Sequence, residues 1–275
     1  MRVGTSGWRY ASWRGDFYPR GLRQRDELSH LSHRLNAVEL NGSFYSLQRP
    51  SSYATWAQEV PDDFVFAVKG GRFITHMRRL ADVSTPLANF FASGVLALGD
   101  KLGPVLWQLP ASLPFDADLL SSFFAQLPRT SEQAAELARG HDDKLPEGRA
   151  LTTPVASTPI QHALEPRHES FHAPDARKLL EDNDVAMVIS DSAGTWPTFD
   201  VITSRLVYVR LHGDTELYAS GYSTAALGRW ASRVRRWADD GLQVHVYFDN
   251  DARGHAPHDA EALLDLVCPD RDGHG

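Results

Sequence analysis

Eight short β-rich runs recur along this chain in alternation with helical stretches, and that alternation constrains the fold more than any other feature. The runs are Arg2 to Gly7, Ala37 to Phe44, Phe64 to Lys69, Pro104 to Leu109, Ala163 to His168, Val185 to Asp191, Leu206 to His212 and Leu242 to Asn250. Helical periodicity occupies Asp26 to Leu35, Ser51 to Glu59, Thr85 to Leu98, Asp116 to Leu127, Pro174 to Asn183 and Ser223 to Asp240, with His258 to Val267 last. Strand–helix alternation calls for parallel strands joined by crossovers, and eight such units close on themselves without leaving an edge. The expected fold is therefore α/β, a TIM-type (β/α)8 barrel. An open doubly wound sheet is the alternative, but the first turn, Gly4-Thr5-Ser6-Gly7, lacks the G-x-G-x-x-G spacing of its nucleotide-binding form.

Two stretches break the rhythm. Arg129 to Thr158 inserts a helical piece, Ser131 to His141, and a Pro/Thr-rich connector between strands 4 and 5, and the crossover Ser192 to Ser204, which contains Pro197, is short for a helix. Neither calls for a second domain. At 275 residues the chain has the usual size of one barrel, so residues 1–275 are expected to form a single domain.

No apolar run approaches the roughly 18 residues needed to cross a bilayer. Because strand-like sequence starts at Arg2, no secretory signal is expected, and a cytoplasmic location follows. The single cysteine, Cys268, excludes an internal disulfide and reads as helix packing, as do Trp230 and Trp237. A formal charge of −7 argues against wrapping nucleic acid, and oligomeric state stays open. The sequence requires no cofactor.

Parallel strands covered on both faces should read as nearly continuous apolar runs, so polar residues inside them need a reason. Here they gather toward the strand ends: Glu39 and Asn41 in the second run, Lys69 in the third, Gln108 in the fourth, Glu165 and Arg167 in the fifth, Asp191 in the sixth, Arg210 and His212 in the seventh, Asp249 and Asn250 in the eighth. In a barrel all of these ends meet at one rim, where such enzymes do their chemistry. A structural ion-pair network filling the barrel is the competing explanation for the same residues.

These residues also carry a resemblance to the domain-of-unknown-function 72 family, the YecE-like barrels. The matching segments are Gly4-Thr5-Ser6-Gly7-Trp8 with Trp13, Gly15, Phe17, Tyr18 and Pro19; Glu39-Leu40-Asn41 with Ser43-Phe44-Tyr45; Phe66 and Lys69 with Ile74-Thr75-His76; and Leu102-Gly103-Pro104 with Gln108-Leu109-Pro110. Glu165-Pro166-Arg167-His168, Tyr208 to Gly213, and Val246 to Asn250 with Gly254-His255-Ala256 complete it. The resemblance implies a TIM-type barrel and no particular reaction. Asp249, where Asn is expected, and the interrupted helix within 129–158 depart from the pattern.

The favoured chemistry is an enzyme acting on a small anionic substrate, bearing phosphate or carboxylate, by acid/base steps. Its catalytic candidates are Glu39, Lys69, Glu165 and His212; its substrate-binding candidates are Trp8, Asn41, Tyr45, Gln108, Arg167, Arg210, Asp249 and Asn250. Lys69 alternatively suits Schiff-base chemistry. A metal-dependent hydrolase would draw on Glu39, Glu165, Asp191, His212 and Asp249, yet H-E-x-x-H is absent and the cations oppose a metal, so no metal ligand is assigned. A glycosidase would pair Glu39 with Glu165 and stack sugar on Trp8, Phe44, Tyr45, Tyr218 or Tyr222. A barrel that binds a metabolite or protein without turnover is the remaining alternative. Ser43 and Ser190 lack a nucleophile elbow, and His76, His168, His245 and His255 are expected to be scaffold or loop residues.

Overall fold

A computed structural model describes residues 1–146 and 148–269, so residue 147 and the C-terminal end of the single-domain range 1–275 lie outside the described residues. It is a TIM-type α/β barrel. The strands are β1 (Arg2–Ser6), β2 (Ala37–Leu40), β3 (Val65–Lys69), β4 (Leu102–Gln108), β5 (His162–Glu165), β6 (Val185–Met187), β7 (Ile189–Asp191), β8 (Leu206–Leu211) and β9 (Gln243–Phe248). Every pairing is parallel, in the order β6-β5-β4-β3-β2-β1-β9-β8-β7.

The expected sixth strand is split at Val188, which makes nine segments fill eight positions. β6 pairs with β5 and β7 pairs with β8, while the Val188 amide still donates to Leu164 O at 2.9 Å. Since successive backbone groups point to opposite edges, Val185 and Met187 face away from β5. There the Thr203 hydroxyl donates to Val185 O (2.6 Å) and accepts from the Met187 amide (2.8 Å), standing in for a strand partner.

The helices are α1 (Glu27–Ser32), α2 (Gly42–Tyr45), α3 (Pro50–Gln58), α4 (Ser84–Ala92), α5 (Ala117–Phe124), α6 (Ser131–Ala138) in the insertion, α7 (Pro174–Asp182), α8 (Thr224–Asp239) and α9 (Ala256–Val267); all but α2 lie in expected places, most of them ending earlier, while α9 begins two residues before His258. Side-chain caps fix several starts: Asp116 accepts from Leu119 N, Thr130 from Gln133 N and Ser223 from Ala226 N. Two elements escape the sequence reading. The second strand stops at Leu40 rather than Phe44 because the chain turns into α2, and Phe73–Met77 forms a π-helical turn after β3.

The barrel interior is layered by the two-residue repeat of its strands. An apolar layer of Ala37, Ala67, Leu106, Ala163, Ala186, Val188, Leu206, Tyr208 and Tyr247 is almost wholly buried. Small side chains from β2, β3 and β5 leave the room that Tyr208 and Tyr247 fill. Two residues further along the strands come Glu39, Lys69, Gln108, Glu165, Arg210 and Asp249, so one step of the pleat carries the interior from apolar to charged. Gly4 belongs to the tight β1–β2 pairing, where a Cβ would stand 2.0 Å from Ala37 O.

Candidate functional site

Arg210, with no exposed surface, sits at the centre of the charged layer. Its Nε donates to Glu39 Oε2 at 3.1 Å and its Nη1 to Glu165 Oε2 at 2.9 Å. Nη2 donates to Glu39 Oε1 at 2.8 Å, to Asp249 Oδ2 at 3.0 Å and to Ser6 Oγ at 3.2 Å. Glu39 is completed by the hydroxyls of Ser6 (2.8 Å) and Tyr208 (2.7 Å). A fully buried guanidinium facing three carboxylates is the arrangement in which buried charge is tolerated at all. Burial opposes the charge on Arg210, but Glu39, Glu165 and Asp249 more than restore it and push its pKa up.

His212 threads this network. Its Nδ1 lies 3.0 Å from Asp249 Oδ2 and its Nε2 3.5 Å from Glu165 Oε1, while Trp196 and Tyr218 meet the ring edge-on. Burial pushes the Glu165 carboxyl up, but Arg167, Arg210 and His212 outweigh it and hold it well below the usual range. Asp249 behaves alike: burial raises it, and Arg210 with His212 brings it below the ordinary value. Asp251, two residues on and buried, goes the other way. Burial and the Asp249 charge raise its carboxyl well above the ordinary carboxylate value.

Above this floor opens a cleft of about 870 Å³ at the C-terminal strand ends. Of the residues expected there, Asn41, Tyr45, Lys69, Gln108, Arg167 and Asp249 line it. Arg167 donates to Glu165 Oε1 from Nε (3.2 Å) and Nη2 (3.0 Å), and its guanidinium stacks 3.6 Å over the Trp196 ring. Lys69 ends β3 with its Nζ 4.5 Å over the Phe44 ring, and burial followed by the repulsion of Arg210 lowers its pKa to about 8. Asn41 caps α2, with its Oδ1 buried and unpartnered.

Other expected site residues stand elsewhere. Glu39, Glu165, Arg210 and His212 have no exposure and form the floor beneath the cleft, so Arg210 is placed to hold carboxylates rather than a substrate. Asn250 turns away, donating to Ser220 O (2.9 Å) and Asp259 Oδ2 (2.8 Å) because its strand has ended and the chain is entering the turn to α9. Trp8 packs edge-on against Trp56 in an adjoining hollow that shares Tyr10 and Asn41 with the cleft. Among the described residues, no three of His, Cys, Asp and Glu converge as metal ligands.

A family model described as "Protein of unknown function DUF72" matches residues 2–273. The chain belongs to the DUF72 family. Similarity to the UPF0759 protein YecE of Escherichia coli K12 reaches 24% identity over 187 residues, 64% of this chain and 66% of YecE, so the match covers just under two thirds of that relative. A DUF72 protein from Thermotoga maritima shares the fold with a TM-score of 0.74 and 22% identity, over 97% of this chain and 98% of that one. One from Enterococcus faecalis gives 0.74 and 17%, over 97% and 94%.

Sequence reasoning did not single out Tyr10, Arg72 or Trp196 in this DUF72 chain, and it set His76 aside as scaffold. His76 lines the cleft, between Thr75 Oγ1 (2.9 Å from Nδ1) and Gln108 Nε2 (3.4 Å from Nε2). Burial, then Lys69 and Arg167, lower its pKa, which leaves a neutral imidazole at neutral pH. The π-helical turn that carries it is a feature often found at functional sites, but no residue type announces one in sequence. Tyr218, named in sequence only as an aromatic suited to stacking a sugar, is a non-glycine residue at φ 61°, and its ring lines the cleft beside His212 and Trp196.

Proposed function

We propose that this chain is an enzyme that takes a small anionic substrate, bearing phosphate or carboxylate, into the cleft and acts on it by proton transfer. The observation that carries the reading is the charge of the lining: Lys69, Arg72 and Arg167 stand against one carboxylate, Asp249, in a protein of formal charge −7. Arg167 is half satisfied by Glu165 and braced by Trp196, which leaves its fork oriented for an anion with little rotamer entropy left to lose. Lys69, with a pKa of about 8, is close to the operating pH at which an acid/base group works best. Behind them His212 lies with its ring nitrogens 3.0 Å from Asp249 and 3.5 Å from Glu165, so a polar group backs the carboxylate at the cleft wall. The lone cysteine, Cys268, suits a reducing compartment such as the cytoplasm.

A glycosidase would need two carboxyl groups flanking the substrate. Glu39 and Glu165 are instead spent on Arg210 in the floor, and among the described residues Asp249 is the one carboxylate reaching the lining. Calorimetric titration with inorganic phosphate and with succinate tests the proposal. Wild type should bind at least one, and Arg167→Gln should weaken it by about tenfold, the worth of one charge-assisted bond of ~1.5 kcal/mol. Binding of neutral sugars with indifference to both anions would overturn it.

A further inference from the structure

The chain has four lysines, and the structure divides them sharply. Lys101 donates to Ala57 O (2.7 Å) and Val60 O (2.8 Å), Lys178 is paired with Asp182 at 2.8 Å, and Lys144 lies 3.7 Å from Asp142. Lys69 makes no hydrogen bond or ion pair among the described residues, although it is the most buried of the four. A buried ammonium is normally paired. This one instead ends a barrel strand with its Nζ beside an aromatic face, at the wall of the cleft. The carboxylates that would satisfy it, Glu39, Glu165 and Asp249, are all taken by Arg210.

We infer that Lys69 is a nucleophile that forms an imine with a carbonyl carbon of the anionic substrate, which makes that substrate an oxo acid or a phosphorylated aldehyde or ketone. The inference rests on the anion-binding reading of the cleft. The Nζ lone pair forms the C–N bond while the carbonyl oxygen takes a proton, giving a carbinolamine. That oxygen then leaves as water after a second protonation, the nitrogen giving up protons in turn, so amine and carbonyl become imine and water with no oxidant or reductant. The protons have carriers on the same walls, in His76, held neutral, and in Asp249. Arg167 is placed to hold the anionic end while the carbonyl meets Lys69. The low pKa of the amine supports the step: with a value of about 8 rather than 10.5, Lys69 has on the order of a hundredfold more free amine near neutral pH than an ordinary lysine.

Reductive trapping tests this. The full-length protein is incubated with glyoxylate, a small oxo acid, and sodium cyanoborohydride, and the modified lysine is mapped by peptide mass spectrometry. Lys69 should be labelled ahead of the other three by about tenfold or more, with the rate rising as pH passes through about 8 and falling when inorganic phosphate fills the cleft. Lys69→Arg, checked for native circular dichroism, should lose that fast phase alone. Labelling ordered by exposure, with Lys178 and Lys144 first, would overturn the imine; phosphate titration of the same preparation reports separately on whether the cleft holds anions.

Discussion

Replacing Arg210 by Met keeps most of the side-chain length and removes the one cation on which three carboxylates converge. Glu39 and Glu165 have no side-chain exposure, so neither can recover hydration in place, and Asp249, at 16% on the cleft wall, recovers only part of it. Removing one partner of a buried ion pair costs about 3–5 kcal/mol. For a protein of this size that corresponds to a melting temperature lower by roughly 6–15 °C at pH 7. The pH dependence gives a second reading. In wild type the Glu165 carboxyl is depressed, so its stabilisation is complete above the ordinary 4.5 and is lost as pH falls through the lower folded value. In the variant burial acts with less opposition, the carboxyls bind protons more readily, and acid relieves the damage. The gap between the two proteins, followed by circular dichroism melts, should therefore be widest near pH 7 and narrow toward pH 4. A melting temperature within about 2 °C of wild type, or a gap that widens in acid, would refute the assignment of Arg210 as the counter-charge of the floor.

Asp251→Asn should be nearly silent, within about 1 kcal/mol by urea unfolding at pH 7, because burial and the Asp249 charge already disfavour the carboxylate it removes. Since a raised carboxyl has its stabilising effect at low pH and loses it as pH rises through the folded value, the variant should gain on wild type in alkali; a loss above about 2 kcal/mol at pH 7 would contradict the upward shift of Asp251. Trp196→Ala, which takes away the surface 3.6 Å beneath Arg167, should weaken phosphate binding about three- to tenfold by calorimetry; an unchanged affinity would mean the stacking does not position the guanidinium. Gly70→Ala would put a Cβ 2.3 Å from the Trp107 ring, and the forced repacking should cost about 1–3 kcal/mol in a chemical melt, whereas wild-type stability would show that the ring can move freely.

The barrel was legible because its rule is periodic. Polar residues two positions beyond buried alanines and tyrosines, Ala37 to Glu39, Ala67 to Lys69, Ala163 to Glu165, Tyr208 to Arg210, appear as anomalies in otherwise apolar runs, and closure brings them together. What the pattern could not reveal was height within the layer. Glu39 and Arg210 look as available in sequence as Lys69, and only the convergence of three carboxylates on one guanidinium buries the first two and leaves the third unpaired. His76 and Arg72 belong to the π-helical turn after β3 and its N-cap, whose path depends on tertiary contacts, so no strand or helix period pointed to them. Asn250 misled for a related reason: alternation stops where β9 stops, at Phe248, and the next side chains follow the turn.

The break at Val188 gives the ring of strands a seam. Around the rest of the circle each segment pairs with its neighbours, with one register shift between β3 and β4, but between β6 and β8 the hydroxyl of Thr203 ties off the free backbone groups. A ring joined this way can part at one place without unravelling elsewhere, so the amides of Met187 and its neighbours should exchange with solvent through a local opening while those of β1, β2 and β3 wait for global unfolding.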